Sequence, residues 1–281
     1  MKAFILWLHH RRKINFLLLV TYFLLVVLPH EQVGLLTVDL FGHLPRDTYN
    51  LIIIATGTLG LTAFLIPCWN RIKQHPQRNR ITLFLLVTIG LIILTINTLF
   101  VINIEVIHFV QYAMMALLLF PLTLRLGETL FWATLLGAID EAYQYFYLAP
   151  QRTDYYDFND VITNLLGAAL MLIFLKTYHF ENKSIQVRTS WYRSAPVITT
   201  AIITLLMLVL YVTGIVGIYP PDSGETTFNY LLVRVVPQNF WSVVHPNVTY
   251  HVIQPLEGTI LTASLLMGYN WGFSQNELST S

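Results

Sequence analysis

The sequence predicts an all-α protein, a polytopic bundle of seven transmembrane helices with a cytoplasmic amino terminus, in which an eighth crossing is left open. Three observations predict this fold class. First, 55% of the 281 residues are apolar and 11% are charged, whereas a soluble domain carries roughly 25% charged residues. Second, seven apolar stretches are long enough to cross a lipid core of roughly 30 Å. Third, the basic residues alternate between the segments that join these stretches.

The predicted spans follow one another from the amino terminus. They cover residues 13–29, 49–69, 81–102, 106–124, 127–147, 158–177 and 195–218. The basic amino terminus leads into an apolar run with no small-residue cleavage site, so we interpret that run as a retained first span rather than a signal peptide. The stretch 252–270 contains Gln254, Pro255 and Glu257, and whether it crosses is left open. The single cysteine, Cys68, excludes an internal disulfide and a multi-cysteine metal site.

The distribution of basic residues predicts the orientation. With the amino terminus inside, 13 of the 16 Lys and Arg residues fall in cytoplasmic segments, and Arg46, Arg152 and Arg234 fall outside. This bias is the positive-inside rule, and it holds at every loop. Residues 219–250 then lie outside. They form either a short surface helix, because Phe228 and Val235 fall at helical spacing with two leucines between them, or a loop packed over the bundle.

Three consecutive predicted spans carry polar residues at one depth. In the fourth, Glu105, His108 and Tyr112 are spaced three and four apart and are expected to form one helical stripe. The fifth ends with Asp140, Glu141 and Gln144. Charges at this depth cost at least about 2–3 kcal/mol each unless they face protein or water. Gly137, just before them, would allow a neighbouring helix to approach closely.

The sixth predicted span opens with further polar residues. Asp157 suits an N-cap, but a cap does not explain Asp160 and Asn164, which lie further along the helix on one face with Gly167. The loop before this span contains Arg152. The candidate binding site therefore comprises Glu105, His108, Tyr112, Asp140, Glu141, Gln144, Arg152, Asp157, Asp160 and Asn164.

The acids of this set, with Asp154, outnumber the nearby cations. In a low dielectric they cannot all be charged and unpaired, so some are protonated, or Arg152 is shared, or a cation lies among them. The alternative is that these residues only join helices by hydrogen bonds. The tyrosines of this region are expected to form an interfacial aromatic belt, comprising Tyr143, Tyr145, Tyr147, Tyr155 and Tyr156. His245, His251 and Glu257 are interpreted as loop residues of the outside segment.

The ordered polar set resembles the VanZ-like family over roughly residues 100–177. The resemblance is carried by His108-Phe109 with Tyr112, Glu141 with Gln144, Arg152, and Asp160 with Asn164. Met171 stands where the family has a second glycine, and the loop before Asp160 is longer than usual. The resemblance implies a bacterial cytoplasmic-membrane protein of the cell envelope. The family's namesake is associated with resistance to the glycopeptide teicoplanin. The chain is then divided into a three-span scaffold at 1–102, a VanZ-like domain at 103–178, and a final span with an outside segment at 195–281.

Three functions are left open by the sequence. The first is binding or moving an amphipathic envelope molecule, such as a lipid-linked precursor or a lipoglycopeptide, at an outward-facing polar pocket. The second is a membrane-surface enzyme with a carboxylate, histidine and arginine site, with or without a divalent metal. The third is a structural or partner-binding role. Membrane lipid is the expected partner, nucleic acid is not, and no metal-ligand spacing reaches motif strength. Neither a cofactor nor an oligomeric state is predicted.

Overall fold

The computed structural model describes residues 1–29, 32, 36, 43–101, 103–148, 150, 154–178, 194–221, 228–245 and 248–274. Within these ranges the chain is mostly helical, with nine α-helices and two small sheets. The helices are α1 (Lys2–His10), α2 (Arg12–Tyr22), α3 (Arg46–Ile72), α4 (Arg78–Thr98), α5 (Ile107–Thr123), α6 (Leu126–Tyr143), α7 (Phe158–Lys176), α8 (Ala195–Val212) and α9 (Pro255–Ser274). The strands are β1 (Val216–Gly217), β2 (Tyr230–Leu231), β3 (Trp241–His245) and β4 (Val248–His251).

In the described part of the chain, four helices are long and apolar enough to cross a membrane. They are residues Thr48–Ile72 of α3, together with α4, α7 and α8. Helix α5 is also apolar but has 17 residues. The prediction of a helical protein with membrane-competent segments is confirmed to this extent. The number of crossings and their orientation stay predictions.

The helix α7 is the centre of the bundle. Almost all of its residues are buried, and it packs against α4, α5, α6 and α9. Its contact with α5 is close because residue 167 has no side chain. A Cβ atom at Gly167 would lie 2.7 Å from the Cα of Phe109, which is closer than carbon atoms pack. By contrast, α8 has no buried residue, so it lies at the periphery with its apolar side chains exposed.

The ends of α7 and α9 meet at what we call the Lys176 end of the bundle. The Nζ of Lys176 donates a hydrogen bond to the carbonyl of Gly272, 3.0 Å away. Arg80, at the start of α4, donates to the carbonyl of Trp271, 2.9 Å away. The start of α4 and the ends of α7 and α9 therefore share one end of the molecule.

The opposite end, which we call the Asn159 end, is organised by one buried amide. Asn159 Nδ2 donates to the carbonyl of Leu99, just after α4, and to that of His251 in β4, at 3.2 and 2.8 Å. Its Oδ1 accepts from the backbone N–H of Ile253 at 2.9 Å. Helix α4 therefore runs antiparallel to α7 and α9. Helix α5 begins and α6 ends at this same Asn159 end.

The amino-terminal segment packs along α5. A break at Arg11 separates α1 from α2, and a π-helical turn, Phe23–Val27, follows α2. Asn15 donates to the carbonyl of Leu118 at 3.1 Å, and the Tyr22 hydroxyl donates to that of Gln111 at 2.9 Å. The predicted first span, 13–29, therefore corresponds to α2 and the π-helical turn.

The segment after α8 contains strands where a surface helix was one of two expectations. The pair β1 and β2 is parallel, and β3 and β4 form an antiparallel pair. The surface-helix prediction is therefore wrong for the described residues of 219–250, and a segment packed over the bundle describes them better. The physical reason is non-local pairing. The N–H of Tyr156 donates to the carbonyl of Leu232 at 2.7 Å, and Val233 is buried beside the chain that precedes α7.

Candidate functional site

Helices α5, α6 and α7 bring a histidine and two carboxylates together near the Asn159 end. One ligand-type atom from each of His108, Glu141 and Asp160 lies within 4.8 Å of the others. His108 is 4% exposed and Glu141 is 3% exposed, whereas the Asp160 side chain is 17% exposed. The cluster is therefore enclosed by protein and reaches solvent through Asp160.

Asn164 orients the histidine of this cluster. Its Oδ1 is hydrogen-bonded to His108 Nδ1 at 3.1 Å. The other ring nitrogen, Nε2, lies 3.5 Å from Asp160 Oδ2, which is longer than an ordinary hydrogen bond. Asp160 and Asn164 are four residues apart and so share one face of α7. The polar face of α7 therefore meets both nitrogens of one imidazole.

Two buried polar atoms of the cluster have unused hydrogen-bonding capacity. Glu141 Oε1 and Asn164 Nδ2 make no hydrogen bond of ordinary geometry among the described residues, although the two side chains lie close to each other. Leaving a buried polar group unpaired costs roughly 1–3 kcal/mol. Native structures rarely retain such groups unless a water, an ion or a ligand completes the site.

A second polar pair lies beside the cluster. The Tyr112 hydroxyl donates to Asp140 Oδ2 at 3.3 Å, and both residues are fully buried. Gly137 permits this packing, because a Cβ atom there would lie 3.2 Å from the Cβ of Asn164 and 3.3 Å from Cε1 of Tyr112. The prediction that Gly137 allows a close helix approach is confirmed. Gln144 follows in the π-helical turn Gln144–Leu148.

Asp157 is the N-cap of α7, as predicted. Its carboxylate accepts hydrogen bonds from the backbone N–H groups of Asn159 and Asp160 at 2.9 and 3.4 Å. Desolvation by the surrounding protein, and then the charge of Asp160, raise the pKa of Asp157 to about 8. Asp157 therefore holds the first turn from which Asp160 projects.

Two predicted site residues fall elsewhere. Glu105 lies in a 3₁₀ turn, Asn103–Val106, and its carboxylate accepts from the N–H of Val101 at 3.2 Å. Because α5 begins only at Ile107, the predicted stripe from Glu105 through Tyr112 does not lie on one helix. Arg152 lies outside the described residues.

The expected aromatic belt is wrong for two of its tyrosines. Tyr145 and Tyr156 are 2% and 7% exposed, and their hydroxyls donate to the carbonyls of Leu231 and Ala138 at 2.9 and 2.8 Å. These hydrogen bonds explain how a polar phenol can be buried. Tyr143, like Tyr147, is exposed, and the two rings stack on each other. Tyr155 is half-buried, and its backbone bridges to Val233.

Sequence reasoning missed Asn159 and Arg234. The guanidinium of Arg234 lies 4.2 Å from the centre of the Tyr145 ring and donates to the carbonyls of Tyr145 and Pro150. A second polar residue beside Asp160 in the first turn of a mostly apolar helix was a usable signal for Asn159, because such a group needs partners once buried. Arg234 carried no local signal.

A separate histidine–carboxylate pair lies in the carboxy-terminal segment. His251 Nε2 lies 2.9 Å from Glu257 Oε2, and the ring stacks on Phe240. These residues were interpreted as loop residues. His251 ends β4, Glu257 lies in the first turn of α9, and neither is part of the His108 cluster.

No protein-family model, curated protein or solved structure matches this chain. The class of protein is therefore defined by its fold and its cluster. Over the residues that the structure describes, it is a mostly helical protein with four membrane-competent helices and a buried histidine–carboxylate cluster between three helices. The resemblance to the VanZ-like family stays a prediction.

Proposed function

We propose that this protein is a VanZ-like component of the bacterial cytoplasmic membrane that binds or moves an amphipathic envelope molecule. The site is the cluster of His108, Glu141, Asp160 and Asn164, placed at the outer leaflet. The observation that carries the proposal is the pair of buried polar atoms at Glu141 and Asn164 that make no hydrogen bond of ordinary geometry among the described residues. A ligand with hydrogen-bonding groups would complete both atoms.

The proposed topology places the Asn159 end outside and α9 as an eighth crossing. It is supported by the basic residues, because Arg80 and Lys176 lie at the other end of the bundle and basic residues favour the cytoplasmic side. The 20 residues of α9 are long enough for a crossing, since they span about 30 Å at a rise of 1.5 Å per residue, although α9 is less apolar than the four membrane-competent helices.

The chemistry of the cluster favours a particular part of the ligand. Carboxylates and a histidine attract hydrogen-bond donors and cations rather than a bare phosphate. Sugar hydroxyls and ammonium groups of a lipid-linked precursor or a lipoglycopeptide meet this requirement. Such a ligand would approach from the side of Asp160, the more exposed of the two carboxylates in the cluster, with its acyl chain in the surrounding lipid.

The test uses the purified protein in proteoliposomes with a fluorescent lipid-linked sugar in one leaflet. Asp160→Asn and Glu141→Gln remove each charge at nearly constant shape, and we expect each to reduce movement of the lipid at least about tenfold, as loss of a buried contact of about 1.4 kcal/mol or more would. The matched control is Glu128→Gln. Glu128 lies in the first turn of α6, the helix that also carries Glu141, and it pairs with Arg125 rather than with the cluster. Movement that is unchanged in both cluster variants would refute the proposal.

A membrane-surface enzyme is the second candidate. The observation that favours it is the short separation of His108, Glu141 and Asp160, which suits proton transfer to a bound substrate. Mass spectrometry of the lipid recovered from the same vesicles distinguishes the two functions, because only an enzyme converts it to a product.

A further inference from the structure

The protonation of His108 can be worked out from its neighbours. Asn164 presents its amide oxygen to Nδ1 at 3.1 Å, and an amide oxygen only accepts hydrogen bonds. Nδ1 therefore carries the proton, and in the neutral ring Nε2 presents its lone pair. This lone pair faces Asp160 Oδ2 at 3.5 Å. Two acceptors that face each other in a buried site repel unless a proton or a metal ion lies between them.

The hydrogen bond at Nδ1 is also the arrangement that metal-binding histidines use. The nitrogen that does not bind the ion usually donates to a carbonyl or carboxylate, which fixes the ring and its tautomer. Asn164 supplies the acceptor of this hydrogen bond, and its side chain is fully buried. The ring is therefore held with Nε2 directed at the carboxylate of Asp160.

The separations suit a single small cation. With bonds of about 2.0–2.2 Å, neighbouring ligand atoms of a tetrahedral ion are about 3.4 Å apart. His108 Nε2 and Asp160 Oδ2 are 3.5 Å apart, and the group with Glu141 lies within 4.8 Å. The largest separation exceeds the ideal one by about 1.4 Å, which a rotation of the Glu141 side chain can close. Its Oε1 atom is buried and makes no hydrogen bond of ordinary geometry among the described residues.

We propose that His108 Nε2 and the carboxylates of Glu141 and Asp160 bind one divalent transition-metal ion of the Zn²⁺ class. One imidazole with two carboxylates favours such an ion over Mg²⁺ or Ca²⁺, which take oxygen ligands alone. Two ionised carboxylates and a dication are neutral together, which removes the cost of burying like charges. A water or a group of a bound molecule would take the fourth position. The metal site stands independently of the lipid function proposed above.

The test measures metal binding by the full-length protein in detergent after it has been stripped with a chelator. We expect the stripped wild-type protein to take up one Zn²⁺ per chain when Zn²⁺ is added back and, with Co²⁺ alone, to develop the visible absorption of a four-coordinate site. We expect Glu141→Gln and Asp160→Asn to weaken Zn²⁺ binding about 100-fold or more in competition with a chromophoric chelator. The matched control is His251→Gln. His251 is also paired with a carboxylate, but with one carboxylate rather than two, so we expect the His251→Gln protein to bind Zn²⁺ as the wild type does.

Any other result of these measurements overturns the proposal of a metal site. A wild-type protein that binds no Zn²⁺ and gives no Co²⁺ band would mean that a proton shared between His108 and Asp160 replaces the metal. Wild-type affinity in both carboxylate variants, or loss of the ion in His251→Gln, would place the ion elsewhere. Gel filtration identifies a variant that fails to fold. If a carboxylate variant does not fold, the Co²⁺ spectrum of the wild-type protein decides whether the metal site exists. Unchanged lipid movement in carboxylate variants that have lost the metal would refute the transport function alone and leave the metal site standing.

Discussion

The contact at Gly167 allows one consequence of the fold to be worked out in detail. A Cβ atom at Gly167 would lie 2.7 Å from the Cα and 2.9 Å from the carbonyl carbon of Phe109. Both atoms belong to the backbone of α5, so no side-chain rotation can relieve the overlap. The substitution Gly167→Ala must therefore move α5 away from α7, and His108, the neighbour of Phe109, moves with it.

The size of the effect follows from the distances. Carbon atoms pack at about 3.5 Å, so the helices must separate by about 0.8 Å. Adding a methyl group to a packed core costs about 1–3 kcal/mol. Because the neighbour of Gly167 is rigid backbone, we expect the cost of Gly167→Ala to lie at the upper end, about 3 kcal/mol. The better helix propensity of alanine offsets about 1 kcal/mol of this. We expect a net loss of about 2 kcal/mol in the free energy of unfolding.

The assay is reversible unfolding in mixed micelles, followed by circular dichroism. The control is Gly90→Ala in α4, where an added Cβ would contact nothing within 4 Å. We expect this control to be neutral or to gain up to about 1 kcal/mol from helix propensity. Equal changes in the unfolding free energy of Gly167→Ala and Gly90→Ala would refute the close contact between α5 and α7.

Three further predictions concern the start of α7, the amide that joins it to the carboxy-terminal segment, and the last helix. Asp157→Ala should lose about 1 kcal/mol of unfolding free energy and Asp157→Asn only a few tenths, because Asn also caps a helix; equal losses would argue against the cap. Asn159→Ala should lose at least about 2 kcal/mol, because it leaves the buried N–H of Ile253 unpaired, and limited proteolysis should cut the β3–β4 segment sooner; unchanged stability and cleavage would contradict this role. In a Cys68→Ala background, Ser274→Cys should react with an impermeant maleimide only after the cells are permeabilised, and labelling of intact cells would exclude a crossing by α9.

Local signals in the sequence predicted the helices and the cap. The predicted span 158–177 corresponds to Phe158–Lys176 and the span 81–102 to Arg78–Thr98. A continuous apolar run of about 20 residues can be recognised from the sequence alone. The N-cap at Asp157 is also local, since the side chain bonds the N–H groups of the next turn. Predicting that His108, Glu141 and Asp160 converge required one further argument. Ionisable groups on apolar helices must find one another, because lipid offers them no partner.

Non-local pairing explains what the sequence did not predict. The hydrogen bonds of Asn159 join residues that are 60, 92 and 94 positions apart, and no periodic pattern encodes such partners. The strands β1 and β2 have two residues each, which is too short for alternation to be recognised. Tyr145 and Tyr156 were assigned to an interfacial belt because they belong to a tyrosine-rich segment at the ends of two predicted spans. Only the position of the backbone carbonyls they bond to decides that they are buried.

The stability of the bundle and the geometry of the cluster depend on the same face of α7. Asp160, Asn164 and Gly167 follow one another at intervals of four and three residues, so they share that face. Gly167 lets the backbone of α5 come close, and this approach places His108 within 3.1 Å of Asn164 and 3.5 Å of Asp160. A substitution that separates α5 from α7 must therefore weaken metal binding even when it touches none of the three ligands. A substitution confined to the periphery, on the exposed helix α8, should leave both the bundle and the cluster intact.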